Sequence, residues 1–253
     1  MFKLIKYRIA TVILALTIAP VTQALAEGSW TVSPHVWWIN ASVEDSGDDL
    51  NHVNSWKDVQ FVMYGLSVEY APSFQENFSY ILTYYTSSGY TTEIIDISVW
   101  PGGSNSGVTT FTQENSDFEL FVRYRVPDSI FNLTVGYRRL DIEGEAPNAT
   151  SRYEANSNLF EVGIGLATPM FKDSDRHHLF ANLTYGIGKT DMHNGQGKEH
   201  TTTLDNNIGY QFLVKDDLSV HVRYRSFWNE KDHSEGEIRT TYEGVELGMG
   251  YSF

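Results

Sequence analysis

The residues of this chain that could do chemistry are few and scattered. Asp191 and His193 in "DMH" place a carboxylate and an imidazole two positions apart, the spacing that puts both on one face of an extended strand. "GIGKT", Gly186–Thr190, carries part of a phosphate-cradling loop. The full pattern needs a glycine five residues before Gly188, where Leu183 stands, and it needs a helix to follow. Both requirements fail. His177 and His178 with Asp173 and Asp175 could hold a cation, as could His193, His200 and His233 beside nearby acids. None of these has the spacing that defines a metal centre. The acid-rich "EDSGDDLNH" lacks the spacing of a calcium loop. The expectation is no catalytic residue, no metal and no cofactor.

A different polar set stands out because it shares a parity. Glu69, Glu119, Glu161 and Glu246 alternate with apolar neighbours, and so do Arg123, Arg125, Arg138, Arg223 and Arg225. Charges gathered on an enclosed face are costly unless paired, and arginine suits bidentate pairing with carboxylates. Such a set is either a charged eyelet that passes solutes or an ion-pair network that fills an interior.

The elements that carry these residues read as strands. "FELFVRYRV" puts Phe118, Leu120, Val122, Tyr124 and Val126 on one face. "IFNLTVGYR", "FEVGIGLAT", "LFANLTYGIG" and "LSVHVRYRSFW" repeat the alternation. Period two is the mark of a strand with two unlike faces. Short connections, "PSFQEN", "PDS", "PMFKDSDRH" and "KDD", follow one end of the strands. Long polar stretches, 40–58, 88–115, 141–155, 190–200 and 229–239, follow the other. Counting between them predicts ten strands. "YTTEIIDISVW" leaves eight or twelve as alternatives, because it either lengthens a hairpin or adds a strand.

Composition narrows the class. The chain has 253 residues, no cysteine and a formal charge of −14. Disulfides and cysteine metal sites are excluded, and the acidic balance argues against nucleic acid, whose phosphates need a basic surface. Residues 1–26 begin with Lys3, Lys6 and Arg8, continue through "IATVILALTIA" and end in "ALA". That order predicts a cleaved secretory signal peptide, too short in its apolar run for the roughly 20 residues that span a bilayer as a helix. Residues 27–253 then form one domain.

The apolar parity carries aromatics toward the strand ends, as at Phe131 and Tyr137, and short turns oppose long loops. Both are features of a transmembrane barrel. The final strand, "GVELGMGYSF", puts Val245, Leu247, Met249, Tyr251 and Phe253 on one face. In this the chain resembles small bacterial outer-membrane β-barrel proteins, whose last amphipathic strand ends in Phe. The resemblance implies an all-β, antiparallel, up-and-down barrel in the outer membrane. It also implies contact with lipid and lipopolysaccharide, and recognition of the last strand by the barrel-assembly machinery. A monomer is expected.

For function, the leading expectation is a non-enzymatic surface or structural role for the long loops. A narrow solute channel is the alternative. A third reading comes from the omptin proteases, ten-stranded barrels that set an Asp-x-His pair opposite an Asp-x-Asp pair. Asp191 and His193 are similar to the first pair. Asp96, or Asp48 and Asp49, do not reproduce the second.

Overall fold

The computed structural model describes residues 28–45, 56–73, 75–87, 89–100, 103–145, 152–171, 174–192, 197–233 and 236–253. The expected signal peptide lies outside them, as do Asp48, Asp49, Asp173 and His193.

Strict alternation over long segments makes each of them extended, since either face can then be buried in a different medium. The strands are β1 (Gly28–Asp45), β2 (Trp56–Pro72), β3 (Phe78–Ser87), β4 (Tyr90–Trp100), β5 (Gly103–Arg125) and β6 (Phe131–Glu145). They continue as β7 (Arg152–Phe171), β8 (Ser174–Met192), β9 (Gly197–Lys215), β10 (Leu218–His233) and β11 (Gly236–Ser252). Each neighbouring pair is antiparallel. The sheet closes where β1 meets β11, with Val32 opposite Tyr251 and Trp38 opposite Val245. Two further bonds lock the seam: the Trp30 amide donates to the Phe253 carbonyl at 3.0 Å, and the Phe253 amide to the Trp30 carbonyl at 2.9 Å.

β3 and β4 share one partner. β3 pairs with the second half of β5, from Phe78 opposite Tyr124 to Thr86 opposite Ser116. β4 pairs with its first half, from Tyr90 opposite Gln113 to Trp100 opposite Gly103. β4 therefore continues the line of β3, and the wall is a closed barrel of ten antiparallel strands, as expected. "YTTEIIDISVW" lengthens a hairpin instead of adding a stave.

The stretches expected as long polar loops are shorter than their polarity suggests. β6 and β7 stay paired up to Glu145 opposite Arg152, and β10 and β11 up to His233 opposite Gly236. The polar residues there continue the ladder because pairing satisfies their backbone groups whatever the side chain. At about 3.3 Å per residue, the 19 residues of β9 reach about 60 Å. An outward apolar band of this class is only about 25 Å tall. On β10 that band runs over Val220, Val222 and Tyr224 to Trp228, then gives way to Glu230 and Asp232. The strands thus project well past the band on the loop side.

Leu133, Val135, Ile164, Leu183, Ile187 and Leu247 lie on the outer face and are exposed. A belt of exposed large apolar side chains of this extent needs an apolar medium around it. Val245, Leu247, Met249, Tyr251 and Phe253 belong to it.

Candidate functional site in the barrel lumen

Among the described side chains the opposite parity points inward, and it is stratified. At the turn end lies a polar cavity of about 420 Å³. Ser67, Thr83, Asn132, Asn182, Asn207 and Gln211 are among its lining residues. At its wall Arg123 Nη1 bonds Glu69 Oε1 at 3.2 Å, each side chain about a third exposed. Arg125 lines the same cavity and is exposed.

Above this cavity the charges close on each other. Arg138 donates from Nε to Asp117 Oδ1 at 2.9 Å and from Nη1 to Asp205 Oδ2 at 2.9 Å. Its Nη1 also lies 3.7 Å from Glu161 Oε1. Arg225 donates from Nε to both oxygens of Asp205 at 3.1 Å, and from Nη2 to Glu119 Oε1 at 2.6 Å. The Arg225 Nη2 to Asp205 Oδ2 contact is closer still. Thr203 Oγ1 donates to Glu161 Oε1 at 3.2 Å. These two arginines tie β5 to β6, β9 and β10 through the middle of the lumen.

A second knot adjoins the first. Arg223 Nη2 sits 2.7 Å from Glu246 Oε1 and donates to Tyr85 Oη at 2.9 Å. Tyr85 in turn donates to the Glu246 carboxylate at 3.3 Å. His35 Nδ1 lies 3.0 Å and His221 Nε2 4.0 Å from Glu246 Oε1.

On the loop side of both knots lies an apolar layer of Trp37, Phe61, Met63, Leu159, Phe227 and Tyr242. The Arg138 guanidinium stacks 3.8 Å over the Phe227 ring, and that of Arg225 lies 4.8 Å from the Trp37 ring. Cation–π contact strengthens when the ion is desolvated, as here. Tyr90 stacks on Phe61 with ring centroids 4.0 Å apart and continues the layer upward. The space left between Arg138 and the aromatics is about 20 Å³, room for about one water. Trp37 and Phe227 are each 2 % exposed, Arg138 1 % and Tyr85 0 %. Among the described residues the lumen is blocked at mid-height, and the barrel is a cup open at its turn end.

Of the nine charged residues expected inside, all lie on the inner face. Glu119, Glu161, Glu246, Arg138, Arg223 and Arg225 are brought together in the two knots. Glu69 and Arg123 pair lower down, and Arg125 stays at the mouth. Sequence reasoning missed Asp117 and Asp205, though both carry the inward parity: Asp117 lies two positions before Glu119, and Asp205 between Thr203 and Asn207. Their signal was present. Tyr85, His35 and His221 also carry the inward parity, His221 two positions before Arg223 and Tyr85 two beyond Thr83, but their meeting was not legible, because only closure of the barrel brings β1, β3, β10 and β11 to one point. Of the Asp-x-His pair, Asp191 is exposed with Lys198 Nζ 3.8 Å away, and His193 lies outside the described residues. His177 Nδ1 hydrogen-bonds Tyr210 Oη at 2.5 Å, and His178 Nε2 bonds the Asp175 carbonyl at 2.7 Å, so these two imidazoles point apart.

Closed antiparallel staves, an apolar outer belt and a polar interior define an outer-membrane β-barrel fold. A known structure agrees. The chain is similar to the outer membrane protease OmpT of Escherichia coli, with a TM-score of 0.62 at 11% identity, covering 89% of this chain and 97% of that one. It is more distantly similar to the translocator domain of the autotransporter NalP of Neisseria meningitidis, with a TM-score of 0.44 at 13% identity over 98% of both chains. The attachment invasion locus protein Ail of Yersinia pestis follows, with a TM-score of 0.32 at 14% identity, covering 90% of this chain and 99% of that one. No family model and no curated protein matches the sequence.

Proposed function

We propose that the chain is a monomeric integral outer-membrane protein with a sealed lumen, acting without catalysis through its projecting loop end in a structural or surface-interaction role. Residues 1–26 would direct export, lipid and lipopolysaccharide would surround the belt, and the last strand would be handed to the assembly machinery. The turn end would then face the periplasm.

The observation that carries this reading is the two-part block across the lumen. A solute would have to part Arg138 and Arg225 from Asp117, Asp205 and Glu119. It would then have to displace Trp37 and Phe227. Stranding buried charges costs about 3–5 kcal/mol per broken pair, which opposes a standing pore. The test is conductance in planar bilayers. Purified refolded protein is expected to leave the bilayer silent over long recordings. A steady unitary current would overturn the sealed barrel and favour the narrow channel.

A further inference from the structure

Outside the Arg138–Arg225 knot, three potential ligands converge at the top of the turn-end cavity. His35, His221 and Glu246 place one donor atom each within 4.8 Å of one another. The register explains how. Gly248 on β11 stands opposite His35 on β1 and opposite His221 on β10, and Glu246 lies two positions along on the same face. Two imidazoles therefore lean over a residue that has no side chain. A Cβ at Gly248 would lie 2.4 Å from His221 Nε2 and 2.7 Å from His35 Nδ1, so the space between the donors exists only because this position is glycine.

One tautomer of His35 suits a ligand. His35 Nε2 is 2.9 Å from Ser67 Oγ, and Ser67 Oγ is 2.9 Å from Thr83 Oγ1. With the imidazole donating from Nε2 and the serine passing its own proton to Thr83, Nδ1 keeps a lone pair. That nitrogen is buried and lies 3.0 Å from Glu246 Oε1. In this tautomer its lone pair and the carboxylate oxygen face a shared point, which a cation can occupy in place of the Nδ1–H of the other tautomer. A histidine fixed by a bond through its other nitrogen is the usual arrangement of a metal ligand.

Charge is set locally. Glu246 and Arg223 balance in the second knot, and the carboxylate surplus lies next to it, where Asp117, Glu119, Glu161 and Asp205 face Arg138 and Arg225. We propose that His35, His221 and Glu246 form a binding site for a divalent transition metal of the zinc type, with its fourth position open to the turn-end cavity. Three protein ligands and one open position is the pattern of an accessible zinc site. A tetrahedron with bonds of about 2.0–2.1 Å needs donor atoms about 3.3 Å apart. The two separations to Glu246, 3.0 Å and 4.0 Å, and that between the imidazoles, within 4.8 Å, reach it only with side-chain rotations that draw the imidazoles together. Arg223 and Tyr85 hold the Glu246 carboxylate from the side, and Arg223 is the metal's competitor for Oε1.

The test uses the full barrel refolded in detergent and stripped with chelator, titrated calorimetrically with Zn²⁺ alone. One equivalent is expected to bind. His221→Ala and His35→Ala should each weaken it at least 10-fold, and Ser67→Ala about 10–100-fold. Arg223→Gln should tighten it. Changing the half-buried His178 and the exposed His200 to Gln should leave it unchanged. Heat-modifiable migration on gels reports folding, and His221, partly open to the cavity, is the variant to rely on if His35→Ala does not fold. Absence of a stoichiometric site in the wild type, or Zn²⁺ binding indifferent to His221→Ala, would overturn the proposal. Tetrahedral-type visible absorption on adding Co²⁺ would support it.

Discussion

Arg138 and Asp205 meet across the lumen with 2.9 Å between Nη1 and Oδ2, although 67 residues and two intervening strands separate them. The same guanidinium holds Asp117 on the adjacent strand with two further bonds. One side chain thus cross-braces the barrel, a role that neighbouring ladder bonds cannot fill.

Arg138→Ala should therefore destabilise the folded barrel by about 3–5 kcal/mol, because Asp117 and Asp205 would keep their burial and lose a partner. Urea titration in detergent measures the loss. Appearance of intermittent conductance in bilayers is expected alongside. Unchanged stability would show that the network is ornamental to the fold.

Leu183 faces outward and Thr184 lines the turn-end cavity. Leu183→Arg should cost about 2–4 kcal/mol if it sits near the bilayer midplane, since the charge enters lipid. Thr184→Arg has a cavity of about 420 Å³ to enter and should be milder. Refolding into liposomes and comparing the unfolding midpoints of the two variants checks the inward and outward assignment. Equal losses would refute it.

At the β1–β11 seam, a Cβ on Gly244 would lie 1.8 Å from the Trp38 carbonyl oxygen. Backbone cannot step aside without opening the ladder that closes the barrel. Gly244→Ala should thus cost about 1–3 kcal/mol, the usual range of overpacking, or more. Gly250→Ala meets the Ser219 and Ser33 hydroxyls, at 2.8 Å and 3.0 Å, which can rotate, and the Thr31 methyl at an ordinary 3.4 Å. The ratio of folded to unfolded bands on unheated gels should fall for Gly244→Ala and hold for Gly250→Ala.

Phe253 closes the same seam through its backbone while its ring, 68 % exposed, lies in the outer belt beside Tyr251. Phe253→Asp keeps the backbone bonds and removes the aromatic terminus. Refolding in vitro should be little changed, whereas the yield of folded protein in outer-membrane fractions of cells should drop several-fold. An undiminished cellular yield would count against a terminal assembly signal.

Lys231 lies on the inner face of β10, three residues beyond Trp228 and so past the apolar band. Its burial pushes the ammonium pKa down to about 8, with Glu199 acting in the opposite direction. A lysine lowered in this way opposes folding fully below pH 8. Stability should rise between pH 8 and the ordinary value of 10.5, because the unfolded chain there still holds a proton that the folded one has released. Lys231→Met should flatten that rise, and because it also takes a charge partner from the buried Glu199 it should change stability at pH 7 less than the pKa shift alone implies. Unfolding midpoints at pH 7 and pH 10 decide it, and a variant with the wild-type pH profile would refute it.

What the sequence alone determined is periodic. Alternation set the faces, so the belt from Phe131 to Phe253 and the inward set from Glu69 to Glu246 were both legible before any strand was paired. The count of ten followed from turn spacing. Ladder length was not legible, because polar residues that look like loop continue to pair, as Glu145 does with Arg152. The contacts across the lumen were decided only by the tertiary structure. Parity tells which side chains point inward but not at what height, and height depends on the stagger of each strand against the next. That stagger placed Arg138 level with Asp117 and Asp205, and it kept Arg125 at the mouth. Closure then brought His35 and His221 to either side of Gly248, 186 residues apart in the chain, at a point that no local pattern encodes.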